Sequence, residues 1–375
     1  MKFQLEHTDS QSKARAACLQ TDHGEILTPV FMPVGTQASV KTQSPRDLEE
    51  LKAQIILGNT YHLYLRPGAD LIAKFGGLHR FMNWPKPILT DSGGFQVYSL
   101  KELRNIDKNG VRFQSHIDGS YHTFTPQNVL ETQRKIGSDI MMLLDECPPH
   151  DASFEYVEES NQLTLDWARI AREQYANSEP YHGYNQWLFG IVQGGTFEKL
   201  REISLNGLID LDFPGYAIGG LAVGETKDKM YGITGFCTDY LPENKPRYLM
   251  GVGTPQDLLN CVERGVDMFD CVMPTRNARN GTVFLWDGRL VIKAGRYKTE
   301  EQPIDETCKC YTCQNFSRAY IRHLLNVDEV LGIWLTTHHN LHFYLELMRN
   351  CREQILKNNY VKWKNEVINN MNKLN

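Results

Sequence analysis

The feature that most constrains the fold of this chain is a recurring pattern of short apolar runs. Each run has the length of a β-strand, ends at a polar residue usually accompanied by glycine or proline, and is followed by a stretch of helical period. The runs are apolar throughout rather than alternating, which is typical of parallel strands covered on both faces. Eight such units predict a (β/α)8 barrel, although a doubly wound open sheet would share the local pattern. The eight runs are Phe31–Val34, Ile55–Leu57, Pro87–Thr90, Ile140–Leu144, Trp187–Val192, Tyr216–Ile218, Tyr248–Met250 and Met268–Phe269.

Three of the stretches between the runs carry a helix start signal. Ser44, Thr125 and Thr254 are hydroxyl residues that each precede a proline, so each can cap a helix whose first residue is that proline. Thr254 with Asp257 forms a loose variant of the capping box. In a barrel the carboxyl ends of all strands share one face, so we expect the polar residues after the runs to be neighbours there.

The composition changes after residue 280. A short β-like segment, Gly281 to Ile292, leads to a cluster of cysteines, and a long helical stretch follows from about His339 to Val367. The sequence therefore predicts two parts. Residues 1–280 form a catalytic barrel with an N-terminal extension, and residues 281–375 form a zinc-binding subdomain with a C-terminal helical segment.

Composition narrows the classes of protein that fit. Of the 375 residues, 41% are hydrophobic and 23% charged, which excludes a disordered chain or a coiled coil. The net charge of -5 provides no general attraction to nucleic acid, so any such contact must come from a local patch. No segment has the pattern of a secretory signal or a membrane span, and we expect a cytoplasmic protein.

A metal site is predicted near the C-terminus. Cys308, Cys310 and Cys313 place three thiolates within six residues, and His339 is our choice of fourth ligand over His338 and His342. Nine cysteines, an odd number, fit reduced thiols with one metal cluster better than a disulfide framework. Three sulfurs and one imidazole are typical of tetrahedral zinc, and a site with four protein ligands is structural. The alternative is three reduced cysteines in a turn.

Three aspartates, Asp91, Asp145 and Asp270, follow strand runs. One such residue alone is more often a turn former or a helix cap, but three on one barrel face favour chemistry at a sugar anomeric carbon. One carboxylate attacks there and the other moves the proton. Gly219–Gly220 would let backbone N–H groups meet a flat ligand, or form a tight packing turn. The sequence contains no phosphate-binding loop of the nucleotide-hydrolysing type.

A local basic surplus follows the Asp270 run. Between Arg276 and Lys298 there are six basic residues and one acidic residue, interleaved with Phe284, Trp286 and Tyr297. Such a strip is typical of a surface that binds the phosphates of a nucleic acid and stacks against its bases. The alternative is a charged face that is only solvated.

Seven features together resemble the tRNA-guanine transglycosylase family of bacterial type, in the family's order and over nearly the whole chain. They are Asp91–Gln96, Asp145–Cys147, Gly190–Gly195, Gly219–Glu225, Gly251–Asp257, Asp270–Arg276, and the set Cys308, Cys310, Cys313 and His339.

The resemblance implies an activity and a partner. The family exchanges guanine at the wobble position of the tRNAs for Asp, Asn, His and Tyr for the queuosine precursor preQ1, on a TIM barrel with a structural zinc ion and without a nucleotide cofactor. It also implies a homodimer. By this resemblance Asp270 is the nucleophile and Asp91 the general acid/base.

The remaining site residues are likewise implied by the resemblance. Asp145, Gln193 and the Gly220 N–H contact the base edge, Phe95 and Met250 cover its faces, and Cys147 and Val223 restrict the pocket to preQ1. Glu225 and the Leu221 carbonyl could receive the cationic aminomethyl group, unless Glu225 is only an acid at a helix N-terminus. The full base-binding set is Ser92, Gly93, Gly94, Phe95, Asp145, Cys147, Gln193, Gly219, Gly220, Leu221, Val223, Glu225 and Met250, and the RNA-binding set is Gly251, Val252, Gly253, Thr254, Pro255, Gln256, Asp257, Thr275, Arg276, Asn277, Ala278 and Arg279.

Two other functions compete on the residues alone. A retaining carbohydrate hydrolase also uses paired acids on a barrel, although it would want tryptophan at the strand ends where Phe95 and Met250 stand. An RNA-binding zinc module on an inert barrel would bind tRNA without needing Asp91 or Asp270.

Overall fold

The computed structural model describes residues 2–99 and 104–373. The strands in this part of the chain are β1 (Lys2–Thr8), β2 (Arg15–Thr21), β3 (Gly24–Thr28), β4 (Val30–Met32), β5 (Val34–Gly35), β6 (Ile56–Gly58), β7 (Ile88–Thr90), β8 (Arg104–Asp107), β9 (Gly110–Gln114), β10 (Tyr121–Phe124), β11 (Ile140–Met142), β12 (Trp187–Val192), β13 (Tyr216–Ile218), β14 (Arg247–Leu249), β15 (Met268–Asp270), β16 (Thr282–Leu285) and β17 (Gly288–Val291). The helices are α1 (Pro45–Glu50), α2 (Thr60–Leu65), α3 (Ala69–Lys74), α4 (Leu78–Met82), α5 (Gly94–Ser99), α6 (Pro126–Ile136), α7 (Phe154–Ala176), α8 (Glu198–Asp210), α9 (Lys227–Tyr240), α10 (Pro255–Glu263), α11 (Met273–Arg279), α12 (Tyr311–Asn315), α13 (Arg318–Asn326), α14 (Val330–Leu356) and α15 (Tyr360–Met371).

The central sheet is parallel and closes on itself. Its order is β4-β15-β14-β13-β12-β11-β7-β6-β5. The two end strands, β4 and β5, are one stretch of chain divided at Pro33, which has no backbone N–H for a ladder. Because β15 pairs with β4 and β6 with β5, the eight predicted runs form one barrel. The barrel prediction is confirmed, and the open doubly wound sheet is excluded.

The predicted helix starts are also confirmed. α1, α6 and α10 each begin at the expected proline, and each hydroxyl cap accepts a hydrogen bond from the backbone N–H three residues on. In all three the side chain at that position, Asp47, Asn128 or Asp257, bonds back to the cap. These caps fix where the chain leaves each strand-end loop and enters a helix.

Additions to the barrel lie at both ends of the chain and in one insertion. β1, β2 and β3 form an antiparallel sheet near the N-terminus, joined to the barrel by a buried ion pair between Arg15 and Asp267. β8, β9 and β10 form a second antiparallel sheet between α5 and α6. The β-like segment predicted after residue 280 is the hairpin of β16 and β17.

The helical stretch predicted from about His339 to Val367 is wrong in its bounds. α14 begins at Val330, nine residues earlier, and a break at residues 357–359 separates it from α15. His338 and His339 therefore lie inside a long helix and not at its start. The first half of α14 packs on a small core with the cysteines, and Tyr344 and Met348 in its second half pack into the barrel core.

Candidate active site and metal centre

A cavity of about 480 Å³ opens at the carboxyl ends of the barrel strands. Most of the predicted base-binding residues line it together with both predicted catalytic aspartates. These are Asp91, Ser92, Gly93, Phe95, Asp145, Cys147, Gln193, Gly219, Gly220, Leu221, Val223, Met250 and Asp270. The predicted RNA-binding residues that reach it are Gly251 and Arg276.

Asp91 follows β7 on the pocket floor. Its Oδ1 accepts a hydrogen bond from the Thr60 backbone N–H at 2.9 Å, and its Oδ2 accepts one from the side-chain amide of Asn59. Burial and, to a smaller extent, the charge of Asp270 raise the pKa of Asp91 against the opposing hydrogen bonds from Thr60, Gly93 and Gln96, and the net result is a pKa of about 7. A carboxyl group with this pKa can give or take a proton near neutral pH.

Asp270 ends β15. Its Oδ1 accepts two hydrogen bonds, from the Tyr248 hydroxyl at 2.6 Å and from the Gly251 backbone N–H at 2.8 Å. Within residues 2–99 and 104–373, Oδ2 accepts none. Burial raises the pKa of Asp270, and the two donors oppose that rise. One carboxylate oxygen is therefore fixed and the other is open to the pocket.

Asp145 follows β11 and belongs to a small polar cluster. It accepts hydrogen bonds from Ser92 Oγ at 3.1 Å and from Gln193 Nε2 at 2.7 Å. Burial raises the pKa of Asp145 to about 6, and these two bonds oppose the rise. Gln193 Oε1 is buried and accepts no hydrogen bond from the described residues. The cluster thus contains one unsatisfied acceptor, Gln193 Oε1, in a residue that lines the cavity.

Close approach of neighbouring atoms requires glycine at two positions of the predicted base-binding set. A Cβ on Gly220, whose φ is +65°, would lie 2.3 Å from Gln193 Oε1, and a Cβ on Gly94 would lie 2.7 Å from the Asp145 carbonyl oxygen. The interpretation of Gly219–Gly220 as the wall of a flat-ligand pocket fits this geometry. Phe95 is 53% exposed at the mouth, where it can cover a planar group.

Two predicted base-binding residues do not line the cavity. Gly94 begins α5 behind Asp145. The Glu225 carboxylate turns back to its own loop and accepts hydrogen bonds from the Ala222 and Val223 N–H groups at 2.5 and 3.1 Å. Glu225 stands directly before Thr226, the N-cap of α9, so the alternative of an acid at a helix N-terminus also fits its position.

Most of the predicted RNA-binding residues lie beside the pocket. Asp257 is 3% exposed and bonds to the backbone N–H of Thr254, to Lys227 and to Tyr231, so it organises its loop. Gly251 and Arg276 are the exposed members, and both line the cavity. The other buried members are Val252, Gly253, Pro255, Thr275 and Ala278, and the half-buried members are Thr254, Gln256, Asn277 and Arg279.

The expected stacking role of the aromatic residues in the basic strip is wrong for two of them. Phe284 and Tyr297 are 5% and 6% exposed. Phe284 packs in the barrel core, and Tyr297 packs in the core of the C-terminal part beneath Arg296 and Arg318. Half-buried Trp286 rests on Phe343. Because Phe284 and Tyr297 are buried, the basic residues and half-buried Trp286 remain for a ligand.

Several pocket residues were missed by sequence reasoning. Asn59 stands directly after β6 and could have been found by the same strand-end argument that found the aspartates. Tyr248 lies inside β14, where nothing distinguishes it from a core residue. The other missed lining residues are Val34, Thr36, Leu57, His62, Gln96, Ala222, Cys271, Val272 and Met273.

Cys308, Cys310, Cys313 and His339 form a cluster that could hold a metal ion. His339 Nδ1 lies 3.3 Å from the sulfur of Cys313, 3.7 Å from that of Cys310 and 3.8 Å from that of Cys308. His339 Nε2 contacts the carbonyl oxygen of Phe284 at 2.8 Å, which directs Nδ1 toward the thiols. His338, one of the alternative ligands, is not part of this cluster, because its Nδ1 contacts Gln43.

A second group, His23, His79 and Asp139, also brings possible ligands together. Its imidazole rings are stacked 3.6 Å apart, with their planes 19° from parallel. Ring lone pairs lie in the ring plane, so stacked rings direct them side by side and not toward one ion. Both rings instead contact the Asp139 carboxylate, at 2.7 and 3.2 Å. Asp139 precedes β11, so this group lies at the end of the barrel opposite the cavity.

The helices of the described residues include none with the length and apolarity that a membrane crossing requires.

Fold and site define the class of this protein: an α/β-barrel enzyme with a carboxylate-lined pocket at the strand ends and a separate Cys3His cluster. A family model described as "Queuine tRNA-ribosyltransferase" matches residues 9–373. The chain belongs to this family, as the resemblance predicted. The membership favours a transferase over the carbohydrate hydrolase and the inert RNA-binding module.

The sequences of curated relatives align with this chain over nearly their whole length. The queuine tRNA-ribosyltransferase of Caldanaerobacter subterraneus subsp. tengcongensis is 56% identical over 368 residues, which cover 98% of this chain and 97% of the relative. That of Fusobacterium nucleatum subsp. nucleatum is 56% identical over 362 residues, covering 96% of each. That of Enterococcus faecalis is 52% identical over 364 residues, covering 97% of this chain and 94% of the relative.

Proposed function

We propose that this enzyme exchanges guanine at the wobble position of the tRNAs for Asp, Asn, His and Tyr for preQ1 in queuosine biosynthesis, in the cytoplasm. The observation that carries the proposal is the pairing of Asp91 and Asp270 in one cavity. Family membership supports the tRNA-directed transferase chemistry, because the relatives bear the name queuine tRNA-ribosyltransferase.

The first displacement breaks the glycosidic bond. Asp270 attacks ribose C1′ through Oδ2, the oxygen free of donors, and forms an ester as the C1′–N9 bond breaks. The bonding electron pair leaves on guanine N9, which takes a proton from Asp91. A target base inside a stacked anticodon loop is out of reach, so the nucleotide must first flip into the cavity.

The second displacement reverses these steps with the new base. Asp91 removes the N9 proton of preQ1, the nitrogen attacks C1′, and the ester bond breaks to release the Asp270 carboxylate. Two inversions retain the configuration at the sugar. Because the ester at C1′ conserves the free energy of the glycosidic bond that was broken, the exchange needs no nucleotide cofactor.

Base recognition is assigned to Asp145, Gln193 and Gly220. A carboxylate can accept from the N–H donors on the guanine or preQ1 edge, and the Gly220 N–H can donate to the base carbonyl oxygen. The unpartnered Oε1 of Gln193 offers a further acceptor. Ser92 fixes Asp145, while Phe95 and Met250 cover the faces of the ring.

Selection of preQ1 over larger bases is assigned to Cys147 and Val223 at the wall of the cavity. Recognition of the cationic aminomethyl group is assigned to the carbonyl of Leu221, which lines the cavity. Glu225 contributes charge from behind this loop, since its carboxylate holds the Ala222 and Val223 N–H groups. A steric distinction of this kind is worth about 1–3 kcal/mol.

The tRNA is assigned to the surface beside the cavity, formed by residues 251–257 and 275–279. Exposed Arg276 adjoins both the cavity and this surface, where a phosphate flanking the flipped nucleotide would lie. Phosphate contacts fix the register of the RNA, and the pocket selects the base. A homodimer accompanies this assignment, with its contact on the C-terminal part of the chain.

A zinc ion fits the Cys3His cluster by the chemistry of its donors, three thiolates and one imidazole. When bound, such an ion supplies structural cross-linking and no chemistry to the substrate. It would tie the 308–313 segment to α14 and so hold residues 281–375 as one subdomain on a barrel of residues 1–280.

The test is exchange of a labelled base. Unmodified tRNA for Asp, Asn, His or Tyr is incubated with radiolabelled guanine, and incorporation into RNA is measured. A parallel reaction with preQ1 is read by mass spectrometry of the tRNA. We expect label to enter without ATP and the preQ1 mass to appear. Well-folded enzyme that binds tRNA but incorporates neither base contradicts the proposal.

A further inference from the structure

Asn59 makes two contacts that fix its side-chain amide. It is buried as the N-cap of α2, and its Oδ1 accepts a hydrogen bond from the His62 backbone N–H at 3.1 Å. The amide cannot flip without losing that bond, because the other end carries only N–H groups. Its Nδ2 is therefore turned toward Asp91, to whose Oδ2 it donates.

Thr60 completes the hold on Asp91. Its backbone N–H donates to Asp91 Oδ1 at 2.9 Å, and its hydroxyl donates to the Asp91 carbonyl oxygen at 2.5 Å. Two consecutive residues of the β6–α2 junction thus contact both carboxylate oxygens and the backbone of the residue that follows β7. The neighbouring strand unit sets the orientation of this carboxylate.

Burial and a neighbouring charge favour the neutral form of Asp91, while hydrogen bonds from Thr60, Gly93 and Gln96 favour its ionised form. The titratable or charged groups that line the same cavity are His62 from α2, Asp145 after β11, Tyr248 from β14, Asp270 from β15, Arg276 from α11, and the thiols of Cys147 and Cys271. Burial and the Asp270 charge raise the pKa of Asp91. A donor aimed at the carboxylate oxygen counteracts both, because it stabilises the ionised form.

We propose that Asn59 is a positioning residue for base exchange, holding the ionised Asp91 carboxylate in place to accept the proton of the incoming base. This inference rests on the proposed function. Asn59 does not touch the base itself in this role; it acts through Asp91.

Three variants separate this role from helix capping. Asn59→Ser retains a capping oxygen but is too short to donate to Asp91, and Asn59→Ala loses both functions. Asn59→Asp retains the cap and replaces the donor by a like charge. Thermal unfolding reports the capping role, and the pH profile of kcat for guanine exchange into tRNA reports the role at Asp91.

The expected results differ between the two roles. In Asn59→Ser and Asn59→Ala, the limb of the profile that requires ionised Asp91 moves to higher pH by on the order of one unit, since a hydrogen bond to a charged group is lost. The shift is larger in Asn59→Asp. Only Asn59→Ala also lowers the unfolding temperature clearly.

Two outcomes overturn the inference, and both differ from failure of the proposed function. An unshifted profile in Asn59→Ser, with kcat lowered equally at every pH, reduces Asn59 to a structural cap. A change in KM alone, with the pH profile of kcat unchanged, means that Asn59 acts on substrate binding and not on Asp91. If the wild-type enzyme exchanges no base, the proposed function itself fails. The pH dependence of guanine binding, measured by calorimetry, then tests the contact between Asn59 and Asp91 without turnover.

Discussion

Substitution of Gly220 by alanine tests the pocket geometry most directly. The backbone at this position has a φ of +65°, and an added Cβ would lie 2.3 Å from Gln193 Oε1. Gln193 cannot retreat freely, because its Nε2 donates to Asp145 at 2.7 Å. The new methyl group must therefore break the contact that holds the base-binding carboxylate in place.

The magnitude follows from two contributions. A non-glycine residue in the left-handed region costs about 1–2 kcal/mol. Loss of the hydrogen bond between Gln193 and the Asp145 carboxylate costs about 1.5–3 kcal/mol. We expect the first contribution to appear as lost stability and most of the second as weaker base binding, which corresponds to a guanine Kd raised roughly 10-fold to 100-fold.

The assay is guanine calorimetry together with urea unfolding, with two matched glycine controls. Gly183 is exposed, has a φ of +79° and has open space around an added Cβ, so Gly183→Ala carries the backbone strain alone. Gly232 lies on the exposed face of α9 with open space and no strained φ, so Gly232→Ala should stabilise the protein by up to about 1 kcal/mol. The reasoning is refuted if Gly220→Ala binds guanine as wild type does and loses no more stability than Gly183→Ala.

Four further predictions follow from the site and its supports. Asp270→Asn should abolish a denaturant-resistant enzyme–RNA adduct on gels while the fold persists, because the asparagine oxygen still accepts from Tyr248 and Gly251; an adduct in this variant would place the nucleophile elsewhere. Exchange should be fastest near pH 7, since Asp91 must be protonated to release guanine and ionised to accept preQ1, and its pKa is raised to about 7; a rate that rises steadily through this range contradicts that role. Cys308→Ser should lower bound zinc, read by elemental analysis, and destabilise the C-terminal part by several kcal/mol (~3 or more); full zinc content would remove Cys308 from the ligand set. Asp139→Asn should lower the unfolding free energy by about 3 kcal/mol at neutral pH. Because His23 and His79 lower the pKa of Asp139, the stability that this carboxylate contributes is lost as the pH falls through the lowered pKa. If the stability difference between wild type and variant does not narrow in acid, Asp139 is not stabilised by these two histidines.

The barrel strands could be predicted because each is covered on both faces. β11, for example, is apolar at every position and fully buried, so its own residues are enough to predict that it is buried. Closure was not predictable in the same way. It depends on the pairing of β15 with β4, which places Phe269 opposite Phe31 although most of the barrel's sequence lies between these two residues.

The bounds of α14 show a second limit. Its N-cap, Glu329, makes no side-chain capping bond, so the helix begins without the signal that marked α1, α6 and α10. Its end is also unmarked by glycine or proline, because the left-handed residue in the break is Asn358, with a φ of +54°. The starts of α1, α6 and α10 were predicted because a hydroxyl residue followed by proline marks each of them, whereas the start of α14 has no such mark.

The site was partly predictable for a reason that lies in the barrel itself. Each strand-end carboxylate is local in sequence, but it also depends on donors from an adjacent strand unit. Asp91 after β7 receives Asn59 and Thr60 from the β6 unit, and Asp270 on β15 receives Tyr248 and Gly251 from the β14 unit.

Asp145 is held from both sides in the same manner, by Ser92 after β7 and Gln193 after β12. Without such donors, three carboxylates buried in one cavity would take up protons and lose their function, because burial raises the pKa of each. The strand register therefore does more than assemble the aspartates: it determines which neighbour keeps each one ionisable, and substitutions at the donors should alter pH dependence before they alter the fold.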